Sequence, residues 1–181
     1  MNARRSHYEL AFEAYLAARG TPCVAIEDVK HFAKRRIGTK VFDYIVYPPG
    51  SRACLVDVKG RKSAMQASKS DCRQKNWVTR ADIEGLEEWQ RIFGEDFSAQ
   101  FVFAYWLTAS GRGAPEHDLT GPDGDTFKFA GRRYSFWIVP LGDYLRYQKR
   151  LSKSWDTVSI PRDDFRRISR RLGTLWPAAP C

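Results

Sequence analysis

The chain has 181 residues, 43% hydrophobic and 14% aromatic, which suits one domain with a packed core and excludes a disordered tail. It holds no run of about 18 apolar residues, hence no membrane-spanning helix, and its basic opening lacks the apolar stretch of a secretion signal. A formal charge of +9, from 30 Lys and Arg against 21 Asp and Glu, favours a polyanionic partner such as nucleic acid, with an acidic protein, an anionic surface or ordinary solubility as the other readings.

The spacing of Tyr8, Phe12, Tyr15 and Leu16 predicts a helix over residues 6–19, stopped by Gly20. Cys23-Val24-Ala25-Ile26 reads as a short strand, and 27–34 as a short helix or irregular connection. Phe42–Tyr47 and Ala53–Lys59 read as strands rich in β-branched and aromatic residues, joined by the turn Pro48-Pro49-Gly50-Ser51. Residues 60–78 are polar and are expected to form a mobile connection. Thr79-Arg80-Ala81-Asp82 resembles a capping box with Asp in place of Glu or Gln. It opens a helix through Ile83, Leu86, Trp89, Gln90 and Phe93, ending at Gly94. Ser98–Leu107 is almost wholly apolar and reads as a central strand covered on both faces.

Residues 108–125 lack periodicity and read as a long loop. Thr126–Phe129 and Arg132–Val139 form a predicted hairpin about Ala130-Gly131. A helix over Asp143–Lys153, a short strand over Thr157–Ile160 and a helix over Asp163–Leu172 complete the chain. This order predicts an α/β fold: a mixed central sheet flanked by helices, with a C-terminal hairpin and helical extension. One domain spans 1–181, with its core at about 6–107 and its elaboration at about 108–176. Cys23, Cys54, Cys72 and Cys181 lack C-x-x-C spacing and make no zinc signature; the usage fits a reducing cytoplasm.

Asp43 and Asp57 lie in strands that otherwise look buried, where a carboxylate is costly unless paired or metal-bound. Lys59, two residues after Asp57, shares its side of the strand. Two acids and a lysine gathered by one hairpin suggest a divalent-metal phosphodiesterase site. Asp43, Asp57 and the Val58 carbonyl would hold Mg²⁺, with Mn²⁺ as a substitute. The cation would polarise a phosphate and lower the pKa of an attacking water. Lys59 would orient that water or stabilise transition-state charge. Glu9 projects from the edge of the first helix's buried face; it either ligates through water or is a solvated glutamate. Gln90 either positions water or phosphate, or is solvated on its helix. Asp43 as a turn acid and Asp57–Lys59 as a structural pair remain alternatives.

Glu9, Asp43 and Asp57-Val58-Lys59 resemble the catalytic constellation of the PD-(D/E)xK nuclease superfamily, in particular its resolvase-like and restriction-endonuclease-like members. The resemblance spans about residues 6–107, with Phe42 in place of the nominal proline. His7-Tyr8-Glu9 with Phe12 and Tyr15-Leu16 also resembles the opening of bacterial proteins of this nuclease-like type. The resemblance implies a restriction-endonuclease-like sheet, Mg²⁺-dependent hydrolysis of DNA rather than RNA, catalytic roles for Glu9, Asp43, Asp57 and Lys59, and a homodimer as one assembly. A binding module with a nuclease-like fold and no turnover, or a protein-interaction domain, would carry the same residues.

Arg61, Lys62, Lys69, Arg73, Lys75 and Arg80 follow Lys59 and either contact phosphates or belong to a solvated loop; Arg132 and Arg133 at the hairpin turn are another candidate clamp. Arg166-Arg167 and Arg170-Arg171 either follow a nucleic-acid backbone or solvate a helix. Trp155 is expected in the core, with base stacking as its other role.

Overall fold

The structure, a computed structural model, describes residues 5–26, 39–65, 75–109 and 126–176. Helix α1 (His7–Ala18) starts where the Ser6 hydroxyl accepts the Glu9 amide and donates to Glu9 Oε1 at 2.8 Å. It buries Ala11, Phe12, Tyr15 and Leu16, a helically spaced apolar stripe. Strands β1 (Cys23–Ala25), β2 (Tyr44–Val46) and β3 (Ala53–Met65) pair antiparallel in that order. The β2–β3 turn places Gly50 at φ 67°, a conformation that glycine adopts without a Cβ penalty.

Strand β4 (Val78–Thr79) leads into α2 (Arg80–Phe93), and β5 (Phe97–Ala109) then returns parallel to β3. The β3–β5 register runs from Ala53 opposite Phe97 to Met65 opposite Ala109. The hairpin of β6 (Phe127–Phe129) and β7 (Arg132–Pro140) adds β7 antiparallel to β5. Beyond it come α3 (Leu141–Tyr147), β8 (Lys149–Ser152), β9 (Thr157–Ser159), α4 (Arg162–Ile168), β10 (Arg170–Arg171) and α5 (Leu172–Leu175).

Among the described residues the main sheet has seven strands in the order β1-β2-β3-β5-β7-β10, with β6 also on β7; β4, β9 and β8 form a second sheet. This is the mixed central sheet flanked by helices that the sequence predicts. Alternation along β3 and β5 builds two cores. Val56, Val58, Val102 and Ala104 pack with Phe12, Tyr15 and Leu16 of α1. Leu55, Phe101, Phe103 and Tyr105 pack with Ile83, Leu86 and Trp89 of α2, and with Tyr144 and Phe165 from the C-terminal part. Tyr8 lies against β3 where Gly60 leaves room; a Cβ there would stand 2.2 Å from the tyrosine ring. No helix among the described residues is long and apolar enough to cross a membrane.

Four expectations need correction. Strand β3 does not end at Lys59 but runs to Met65, because its parallel partner β5 supplies a ladder that carries even Gly60-Arg61-Lys62. The helix expected over Asp143–Lys153 stops at Tyr147, and Lys149–Ser152 instead pairs with β9. The helix expected to reach Leu172 stops at Ile168, because Arg170 and Arg171 pair with Ile138 and Trp137 on the outer side of β7. Trp155, expected in the core, is 79% exposed at the β8–β9 turn. The expectations for 27–34 and 108–125 and much of that for 60–78 concern residues outside the described set.

Candidate active site

Asp57 stands opposite Phe101 in the β3–β5 ladder, on the face covered by α2, and is only 5% exposed. Lys59, one step further on the same face, brings Nζ to 2.7 Å from Asp57 Oδ2 and 2.9 Å from Asp82 Oδ1. Asp82 belongs to the first turn of α2. Its Oδ2 accepts the Thr79 amide at 2.7 Å, while its own amide donates to the Thr79 hydroxyl at 3.1 Å. This reciprocal cap fixes the carboxylate against β3. Lys40 Nζ also bonds Asp82 Oδ1. The Lys40 segment sits tight against α2: a Cβ on Gly85 would lie 2.5 Å from the Lys40 carbonyl, which accepts from Trp89 Nε1 at 3.1 Å.

Asp43 precedes β2 and adjoins the same acids. Its Oδ2 accepts the Val58 amide at 2.8 Å, and its own amide donates to the Val56 carbonyl at 2.9 Å. Asp43 thus bridges the entry of β2 to the middle of β3.

Lys59 bonds Asp57 and Asp82, Lys40 bonds Asp82, and the Asp43 carboxylate is near enough to Asp57 to repel its charge. Asp82 shares both lysines and a backbone amide. These outweigh its burial and hold its carboxyl well below the usual carboxylate range. Among the described residues, Asp57 is bonded by Lys59. Burial, with repulsion from Asp43 and Asp82, outweighs that lysine and pushes its carboxyl up to about 7. Burial alone would pull the Lys59 ammonium down, but Asp57 and Asp82 reverse this and hold it above the ordinary lysine range.

The structure therefore brings together Asp43, Asp57, Val58 and Lys59. It does not bring Glu9 to them. Glu9 lies on the α1 side of the sheet, its carboxylate bonded to Ser6 and its backbone carbonyl accepting from the Tyr44 hydroxyl at 3.0 Å. Gln90 is likewise engaged elsewhere. Its Nε2 donates to the carbonyls of Gly94 and Phe97, each at 2.9 Å, and its Oε1 accepts the Ala99 amide at 2.6 Å. These bonds join the end of α2 to the start of β5. Among the described residues no group of three or more His, Cys, Asp or Glu is disposed to hold a metal.

Asp82 and Lys40 are the members that sequence reasoning missed. The signal for Asp82 was present in Thr79-Arg80-Ala81-Asp82, but a cap residue gives no hint of its second partner across the sheet. Of the basic candidates, Arg61 lies 3.9 Å over the Trp77 ring and donates to the Gly60 carbonyl at 2.7 Å. Lys62 and Arg132 lie 5.0 and 4.7 Å from the Trp106 ring. Lys75 is exposed and Arg133 half-buried, and Arg80 Nε is 3.3 Å from Asp156 Oδ1. Lys69 and Arg73 lie outside the described residues.

The chain matches no protein-family model, and no curated protein matches it. Among solved structures it is similar to Hjc, a Holliday junction resolvase from the archaeal hyperthermophile Archaeoglobus fulgidus, with a TM-score of 0.48 and 13% identity over 96% of each chain. Nothing about the chemistry of this chain follows from a likeness at that level.

Proposed function

We propose that the chain is a metal-dependent phosphodiester hydrolase of the PD-(D/E)xK type acting on DNA. The observation that supports this best is the surroundings of Asp57: a buried carboxyl bonded to Lys59 at 2.7 Å and repelled by the neighbouring charges of Asp43 and Asp82. A divalent cation offsets the repulsion between neighbouring carboxylates. Mg²⁺ ordinarily takes only one or two protein carboxylates and fills its shell with water and phosphate, so Asp43, Asp57 and the Val58 carbonyl fit it. When bound, the cation supplies Lewis-acid polarisation of the phosphate and a more acidic attacking water.

Lys59 acts as a fixed positive charge that steadies the negative charge developing on the scissile phosphate. Two carboxylates favour its protonated form, which argues against a role as general base. Asp82 positions Lys59. Arg61, Lys62, Lys75, Arg80, Arg132 and Arg133 are the described candidates for backbone phosphates. DNA, rather than RNA, comes from the sequence resemblance. The free thiols of Cys23 and Cys54 suit a reducing cytoplasm.

A second reading is favoured by the placement of Lys59 within hydrogen-bonding distance of both Asp57 and Asp82. Such a network also serves a nucleic-acid-binding module whose acids are structural. End-labelled linear, branched and single-stranded DNA, incubated with Mg²⁺, Mn²⁺ or EDTA, separates the two. Hydrolysis that EDTA abolishes supports the enzyme; retarded but intact DNA in every metal supports the binding module.

A further inference from the structure

The β8–β9 hairpin presents an aromatic side chain that the chemistry above leaves unused. Trp155 is 79% exposed at its turn, and Leu151 nearby is 57% exposed. The tip is ordered by its own bonds: the Trp155 amide donates to Ser152 Oγ at 3.3 Å, Ser152 and Ser154 hydroxyls lie 3.1 Å apart, and Asp156 takes a φ of 42°. Lys149, Arg150 and Lys153 of the same hairpin are exposed. The one acid in this stretch, Asp156, is paired with Arg80.

That pairing sets the position of the hairpin. The Arg80 amide donates to the Asp156 carbonyl at 3.0 Å, and β4 pairs with β9 through Val78–Val158 and Thr79–Thr157. Arg80 begins α2, and Asp82, two residues later, holds Lys59. Two helical residues advance only about 3 Å along the axis. Trp155, next to Asp156, is therefore built onto the same helix start that carries the acidic site.

We infer that Trp155 stacks on an unpaired DNA base beside the scissile phosphate, with Lys149, Arg150 and Lys153 holding the adjoining phosphates. An exposed indole on a hairpin that also carries exposed cations complements a strand whose bases are accessible and whose backbone is anionic. A fully paired duplex offers that ring no base face. The proposal rests on the nuclease reading for its choice of DNA, and it narrows the substrate to DNA with single-stranded or branched features.

Fluorescence anisotropy in EDTA compares the affinity of the full chain for a labelled duplex and for the same duplex carrying an unpaired flap. Wild type is expected to prefer the flap, and Trp155→Ala to narrow that preference by roughly 5- to 150-fold, the range for loss of one stacked base. Trp155→Phe should retain most of it. Equal preference in wild type and Trp155→Ala overturns the inference. So does a wild-type dimer in sedimentation that Trp155→Ala converts to monomer, since a second copy then covers the ring. Because binding is read without cleavage, failure here leaves the hydrolase reading standing, and absence of metal-dependent cleavage leaves this binding result standing.

Discussion

Lys59 and Asp82 meet at 2.9 Å although they come from different elements, one from the middle of β3 and the other from the first turn of α2. The contact ties the helix start to the sheet and orients the ammonium that also binds Asp57. Replacing Asp82 by Ala removes the side-chain half of the reciprocal cap and the anionic partner shared by two lysines. A loss of about 3 kcal/mol in urea unfolding is expected, within the range for breaking a buried pair. Asp82→Asn keeps the capping geometry and should lose less. Equal stability of wild type and Asp82→Ala would show that the contact is idle.

The Asp57 carboxyl, raised from 3.8 to about 7 mainly by burial, makes metal-free stability depend on pH. A carboxyl that holds its proton more tightly when folded stabilises the fold in acid. That contribution is lost as pH climbs through the folded value and stays constant above it. Relative to Asp57→Asn, wild type should therefore lose melting temperature between pH 4 and pH 7. Mg²⁺ should raise the wild-type melting point more at pH 8 than in acid, since the ligand must be ionised. Melting curves in which wild type gains on Asp57→Asn over that window would contradict the assignment.

Gly60 tests how α1 is seated. A methyl group there meets the Tyr8 ring, so Gly60→Ala is expected to cost about 1–3 kcal/mol through overpacking. Tyr8→Ala in the same chain should recover part of that loss, and a double-mutant cycle by chemical denaturation measures the coupling. Strict additivity would mean that the ring simply moves aside.

Gln90 separates architecture from chemistry. Its amide joins α2 to β5 through three hydrogen bonds. Gln90→Ala should lose about 1–3 kcal/mol in denaturation. A large fall in single-turnover cleavage by the folded variant, with denaturation unchanged, would instead place Gln90 in the reaction.

Much of the sheet was legible because local patterns and tertiary structure agree. The apolar run of β5, the β2–β3 turn and the capping box of α2 each carry their own signal. Arg61-Lys62, Lys149–Ser152 and Arg170-Arg171 carry no apolar alternation; each becomes strand because a neighbouring strand offers a ladder, which no local window reveals. The site divides in the same way. Asp57 and Lys59 could be placed on one face by the two-residue period of a strand. Lys40–Asp82 depends on the close approach permitted by Gly85, and that packing is invisible in the one-dimensional pattern. Glu9 was assigned from helical phase and from the family resemblance; the phase gives an angle about α1 but not the side of the sheet that α1 covers.

Single-turnover cleavage of labelled DNA in Mg²⁺ by wild type, Asp57→Ala and Lys59→Ala most directly tests whether these charges form a hydrolytic centre. Wild type should cut, EDTA should stop it, and each variant should be slower by about 100-fold or more while still binding DNA. Cleavage by Asp57→Ala at the wild-type rate, or no cleavage by wild type in either Mg²⁺ or Mn²⁺, would contradict it.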